Sequence, residues 1–173
     1  MEIKQGNVIL RIWNINDAEQ ITSLANNKKI FNNLRDGFPH PYVLEDARAF
    51  IKYARNAIDE KLFAITVDGE VIGSCGAMFK KDVYRRNVEI GYFLGEPYWG
   101  KGYATDAIIG LRNYVFSRYD IIRIYAEPFA DNLASRKALE KAGFKCEATF
   151  VKNVIKNNII KDSCIYSCLK NGF

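Results

Sequence analysis

The chain has 173 residues, with 25 Lys plus Arg against 20 Asp plus Glu, a formal charge of +5 and a pI near 9.0. Hydrophobic residues make up 49% and aromatics 13%, enough for a chain of this length to withdraw roughly 70% of its unfolded surface from water, which excludes disorder as the main state. No apolar run approaches the roughly 18 residues of a membrane-spanning helix, and the mild charge selects neither nucleic acid nor a phosphorylated ligand.

Taken in chain order, Val8 to Trp13 reads as a strand, and Asn14 to Asp17 offers N-cap chemistry for a helix running to about Lys28. Asn32 to Tyr42 is too rich in Pro, Gly and Asn for regular structure and is a candidate functional loop. A helix starts near Leu44, with Ala47, Phe50, Ile51 and Ala54 at helical spacing. Leu62 to Val67 and Val71 to Phe79 form a hairpin across Asp68-Gly69. Along the next strand, Asn87 to Gly95, alternation places Val88, Ile90, Tyr92 and Leu94 on one face and Asn87, Glu89, Gly91 and Phe93 on the other. Ala104, Ala107, Ile108, Leu111 and Val115 trace a helix stripe. Ile121 to Ala126 is a strand, Asn132 opens a helix that stops at Gly143, and Phe144 begins a strand. A hairpin then joins Cys146 to Val154 with Ile159 to Leu169 through Lys156-Asn157-Asn158. The order predicts an α/β fold: one mixed sheet with helices on both faces, a single domain over 1–173.

Met1 to Gly6 lacks the charged-then-apolar pattern of a signal peptide. The cysteines at 75, 146, 164 and 168 form no Cys-x-x-Cys and are not densely paired. Both features lead us to expect a cytoplasmic protein with reduced, buried thiols. The single histidine, His40, stands between Pro39 and Pro41, which argues against Ser-His-Asp, Cys-His and zinc chemistry.

The stretch Glu89-Ile90-Gly91-Tyr92-Phe93-Leu94, followed by Trp99-Gly100-Lys101-Gly102-Tyr103-Ala104-Thr105, is a strand, a glycine turn and the first turn of a helix. Such a helix start binds phosphate, because its backbone N–H groups lack partners and the dipole adds positive charge. Lys101 adds a full charge. An ordinary strand-to-helix turn has the same Gly-x-Gly pattern, and neither the P-loop nor the dinucleotide fingerprint is present.

These residues, together with Asn132 to Phe144, resemble the GNAT N-acetyltransferases, and within them the RimJ/RimL-like branch named for enzymes that acetylate ribosomal-protein N-termini. The resemblance covers essentially the whole chain. It implies a mostly antiparallel sheet, splayed at its centre, and acetyl-CoA as donor with CoA as product. The pantetheine arm would pair with the strand at Tyr92, Phe93 and Leu94. The pyrophosphate would lie on the loop formed by Trp99, Gly100, Lys101, Gly102, Tyr103, Ala104 and Thr105. Trp99 stands where the broad family pattern has Gln or Arg, which removes one cation. Asn132 corresponds to the asparagine that contacts the cofactor arm, a role compatible with a plain N-cap. Leu139 replaces a tyrosine acid found in many members, leaving thiolate protonation to Ser135, to water or to no group.

Acetyl transfer to an ammonium, whose pKa is near 8 for an α-amine and above 10 for an alkylamine, needs a base. Glu89 is the candidate, against a plain solvated strand glutamate, and strand N–H groups near Tyr92 and Phe93 would hold the oxyanion. No metal is implied. Asp36 is a candidate to attract the amine, and Phe38 and Tyr42 to wall its pocket; Trp13, Tyr84 to Arg86 and the hairpin around Asn157 are further positions for acceptor choice. Candidate acceptors are a protein N-terminus, a polyamine, an amino acid or an aminoglycoside-like compound; no direct nucleic-acid or membrane partner is expected, and monomer and homodimer both stay open. A non-catalytic acyl-CoA sensor on the same fold is the alternative function.

Overall fold

A computed structural model describes residues 1–170; the last three residues of the expected domain lie outside the described residues. Its eight strands form one sheet in the order β1-β2-β3-β4-β5-β6-β8-β7. β1 (Glu2–Gln5) and β2 (Val8–Arg11) make a hairpin that the sequence reading missed. Its turn is Gly6-Asn7, with Gly6 in the left-handed region at φ 53°, where glycine meets no steric cost. β3 (Glu60–Val67), β4 (Glu70–Phe79) and β5 (Asn87–Leu94) continue antiparallel. β6 (Arg123–Ala126) joins β5 in parallel, the one parallel pairing among the described strands. β7 (Lys145–Lys156) and β8 (Ile159–Leu169) form the closing hairpin through Asn157 and Asn158, both at positive φ.

The first helix is shorter than expected. After a 3-10 turn at Ile15–Asp17, α1 spans Ala18–Ala25 and stops, because the Asn27 side chain accepts from Lys29 and Ile30 N–H and starts a new helix, α2 (Lys28–Phe31). This is asparagine's usual competition with the backbone. α3 (Leu44–Asn56) buries Ala47 and Ile51 as its spacing predicts. α4 covers Tyr103–Arg118 and α5 covers Leu133–Lys141. Beyond α5, Gly143 at φ 84° lets Phe144 N–H reach the Leu139 carbonyl.

Two apolar layers sandwich the sheet. Val88, Ile90, Ile108, Leu111, Ile124 and Leu139 belong to the layer under α4 and α5, and Trp13, Ile21, Tyr42, Ala47, Ile51 and Ala64 to the layer under α1 and α3. Each fully buried aliphatic side chain of these layers contributes about 1.5–3 kcal/mol. All four cysteines are free, but Cys168 is half-buried and Cys146 is exposed, against the expectation that every thiol is buried. Cys146 falls on β7, the outermost strand of the sheet, most of whose residues face solvent. No helix among the described residues is long and apolar enough to cross a membrane.

Candidate active site

β5 pairs with β6 at three positions only, Asn87 with Arg123, Val88 with Ile124 and Glu89 with Tyr125. Beyond them β6 ends at Ala126, while β5 runs on to Leu94, paired through its other edge with β4. Residues 90–94 therefore have one edge with no strand against it, and every second N–H and C=O along it points into the gap. A groove of about 1030 Å³ opens there.

On the α4 side, the groove is lined by Tyr92, Leu94, Trp99, Gly100, Gly102, Tyr103, Ala104, Thr105, Asn132 and Ser135. Gly100 and Gly102 take φ of 75° and 84°, and a Cβ on either would meet nothing within 4 Å, so the space before the helix start is open. No side chain caps α4 at Gly102, leaving its first N–H groups facing that space. Trp99 supplies no cation. Its indole N–H donates to the Leu94 carbonyl at 2.8 Å, fastening the turn to the end of β5. Lys101 is not part of the lining; its Nζ lies 5.6 Å from the Tyr98 ring centroid. Lys137 and Lys141 of α5 line the groove instead. Sequence reasoning passed over this pair, although its i, i+4 spacing puts both on one helix face.

The first turn of α5 is fixed by two contacts. Asn132 Oδ1 accepts from Ser135 N–H at 3.2 Å, and the Tyr92 phenolic oxygen lies 2.8 Å from Ser135 Oγ and donates to the Ser135 carbonyl at 3.2 Å. Burial pushes the Tyr92 phenol up to about 12, against the smaller opposing effect of Ser135. Leu139 is fully buried in the core.

Glu89 is 7% exposed and far from a solvated strand glutamate. Its Oε1 accepts from Arg35 at 2.5 Å and its Oε2 from Lys80 at 2.6 Å, with the Tyr125 hydroxyl at 3.4 Å. Desolvation, the largest single influence, would raise its pKa, but Lys80 and Arg35 together outweigh it and hold the carboxyl below its ordinary value. Arg35, on the loop after α2, also reaches Glu127 at 3.6 Å. Phe93 shares the Glu89 face of β5; Phe38 packs edge-on against it at 5.4 Å and stacks on Tyr42 at 5.0 Å. Glu89, Phe38, Tyr42 and Phe93 all line the groove.

Asp36 does not join them. It lines a separate cavity of about 300 Å³ and is ion-paired at 2.8 Å with Lys156, whose Nζ sits 3.7 Å from the Phe31 ring centroid. Lys156 is 2% exposed. Its place in a turn-flanking stretch gave no sign that it would be buried. Asn157 donates to Asn32 at 2.9 Å, so the β7–β8 turn braces the loop rather than lining the groove. Trp13 is a core residue, and Tyr84 to Arg86 are likewise outside the lining.

The family model for the GNAT acetyltransferase domain matches residues 7–145. YnaD of Bacillus subtilis, an uncharacterized N-acetyltransferase, is 26% identical over 98% of both chains. A GNAT-family acetyltransferase structure from Bacillus anthracis superposes with a TM-score of 0.85 at 25% identity, again over 98% of each chain. The fold is shared, at 18% identity and a TM-score of 0.85, with RimL, a ribosomal L7/L12 α-N-protein acetyltransferase solved with coenzyme A, over 100% of both chains. The chain belongs to the GNAT acetyltransferase family and is an N-acetyltransferase. The donor in that family is acetyl-CoA.

Proposed function

We propose that this domain acetylates a primary amine, either a protein N-terminal α-amine, as the name of its structural relative RimL states for that enzyme, or a small amine. The observation that carries the reading is the unpaired edge of residues 90–94 running directly to an uncapped helix start with two open left-handed glycines. These features fit acetyl-CoA: an extended arm with amide groups can pair with a free strand edge, and a pyrophosphate needs a cradle without Cβ atoms. Asn132, Lys137 and Lys141 stand beside the arm's path, while Lys101 lies outside the groove lining and adds its charge at longer range.

When bound, the donor supplies an activated thioester carbonyl. The Tyr92 N–H, on the open edge, would hold negative charge that develops on the carbonyl oxygen, whereas the Phe93 N–H faces β4. Glu89 takes the proton from the attacking amine, directly or through one water. Because Lys80 and Arg35 keep the carboxylate ionised, it is ready at neutral pH, and the same two cations lower the amine's own pKa by like-charge proximity. Ser135, whose backbone Asn132 holds and whose hydroxyl rests on the Tyr92 oxygen, would turn that hydroxyl to supply a proton to the departing sulfur and regain one from solvent. Phe38 and Tyr42 wall the acceptor side, and Asp36 acts at a distance by holding the loop that carries Arg35. The reading takes the chain as one domain acting in the cytoplasm, as monomer or homodimer.

The test is thiol release from acetyl-CoA, followed colorimetrically, with spermidine, amino acids, aminoglycosides and short peptides offered as acceptors. Amine-dependent release above background supports the proposal. Silence across the panel, with CoA still raising the melting temperature, would favour an acyl-CoA sensor.

A further inference from the structure

The acceptor side of the groove has almost no free charge. Glu89 is matched by Arg35 and Lys80, and Glu127 by Arg35; Asp36, outside the groove lining, is matched by Lys156. Asp46, the remaining carboxylate on this side of the lining, accepts the Val43 N–H at 2.9 Å and caps its own helix. Of the three carboxylates in this lining, Glu89 and Glu127 are ion-paired and Asp46 alone has no cation among the described residues, so there is no series of unmatched negative charges. A polyamine or aminoglycoside is recognised by such a series, and binding one here would strand several ammonium groups beside Arg35 and Lys80, which is costly in a partly desolvated site.

What the same side offers freely is aromatic and aliphatic surface. Phe93 projects from the same strand face as Glu89, Phe38 bridges Phe93 and Tyr42, and Phe50 and Met78 complete the lining next to them. Phe38, Phe50, Phe93 and Met78 are only partly covered, so hydrocarbon laid against them leaves water on binding, and aromatic pairs gain further from edge-to-face contact. An acceptor whose nitrogen reaches Glu89 therefore meets hydrocarbon at the carbons beside that nitrogen.

Building on the transferase reading above, we propose that the acceptor is a monoamine whose skeleton next to the nitrogen is apolar or aromatic, and that Phe38 and Phe93 select it. The chemistry is shared by free arylalkylamines and by peptides with an apolar first residue.

Calorimetric titration of the CoA-loaded protein with phenethylamine, Phe-Gly-Gly amide, glycinamide and spermidine tests the proposal at physiological salt. One of the two phenyl-bearing amines should bind at least about tenfold more tightly than glycinamide or spermidine, as expected for burying one aromatic ring, and which of the two does so separates a free amine from a peptide terminus. Phe38→Ala should abolish that preference, Phe38→Leu should keep most of it, and both should leave CoA affinity unchanged. Equal affinities, a preference for spermidine, or no binding by either phenyl-bearing amine would overturn the proposal. Acetyl transfer assayed in the same samples judges the transferase reading separately: selective binding without transfer would count against the chemistry assigned to Glu89 and leave the selection by Phe38 standing.

Discussion

The phenolic oxygen of Tyr92, on the strand with the open edge, lies 2.8 Å from Oγ of Ser135, in the first turn of α5. The Ser135 carbonyl, 3.2 Å away, can only accept, so the phenol gives its one hydrogen to that carbonyl and accepts the hydrogen of the Ser135 hydroxyl, which fixes where that hydroxyl points. Tyr92→Phe keeps the packing and removes that direction. It should lower kcat roughly tenfold, the worth of about one hydrogen bond, with donor KM little changed. If the two residues act as a unit, adding it to Ser135→Ala should cost nothing more; additive losses in steady-state kinetics would separate them.

Glu89→Gln removes the proposed proton acceptor, leaves Lys80 without its counter-ion and leaves Arg35 with Glu127 alone. Turnover should fall by roughly 10²-fold or more, with CoA binding retained. The pH dependence provides an independent check. Because the Glu89 carboxyl is held below its ordinary value, it is ionised throughout the neutral range, and protonation removes it only at a pH below the usual carboxylate range. Activity rising between pH 6 and 9 should therefore track the ionisation of the amine and shift when one acceptor is replaced by another of different basicity. An invariant midpoint would contradict this assignment.

Gly102 combines a left-handed backbone with open space ahead of it. Gly102→Val introduces strain of about 1–2 kcal/mol and fills the proposed phosphate approach. CoA affinity, measured by titration, should fall by much more than the melting temperature does. Wild-type affinity in a folded variant would sink the assignment of this turn.

The Lys156–Asp36 pair is lopsided, with side-chain exposures of 1% and 77%. Lys156→Met leaves an aspartate free to hydrate, whereas Asp36→Asn leaves a buried ammonium without its counter-ion. Thermal unfolding should show Asp36→Asn as the more harmful change, by about 1–2 kcal/mol, even though it alters the exposed partner.

Glu147 ties three strands together, pairing with Arg123 of β6 and accepting from Ser167 of β8 at 2.5 Å. Arg123 first, then Ser167, hold its pKa down at about 2 against an ordinary 4.5. A depressed pKa means the carboxylate's contribution is present above pH 4.5 and is lost as pH falls toward 2. The melting-temperature gap between the wild type and Glu147→Gln should be full at neutral pH and close progressively across that acid window.

How far the chain could be read without coordinates differs by element. Strand β5 was legible because alternation and burial agree: Val88, Ile90 and Leu94 face the core under α4. The helix after the glycines was legible for the same reason, through its apolar stripe. The β1–β2 hairpin was legible only in its second half: Val8 and Leu10 are buried and alternate along β2, but β1 has no buried residue, its four positions running from exposed to half-buried. The site divides in the same way. Backbone-defined parts, the glycine turn and the free strand edge, announce themselves through residues that permit a conformation. Arg35 and Lys156 meet Glu89 and Asp36 across 54 and 120 residues, and even Lys80, nine residues from Glu89, reaches it only through the fold, so no local pattern marks which of many surface cations will do so.

The three-rung seam between β5 and β6 gives the sheet an edge in its interior as well as at its two margins. Exposed sheet edges invite pairing with other chains. This one is recessed between α5, with its Tyr92–Ser135 link, on one side and the Phe38–Phe93 wall on the other, so a broad partner such as another sheet has no room to approach. Only a thin, extended molecule can reach the exposed amides. A single gap thus guards against misassembly and sets the cross-section of what the enzyme admits.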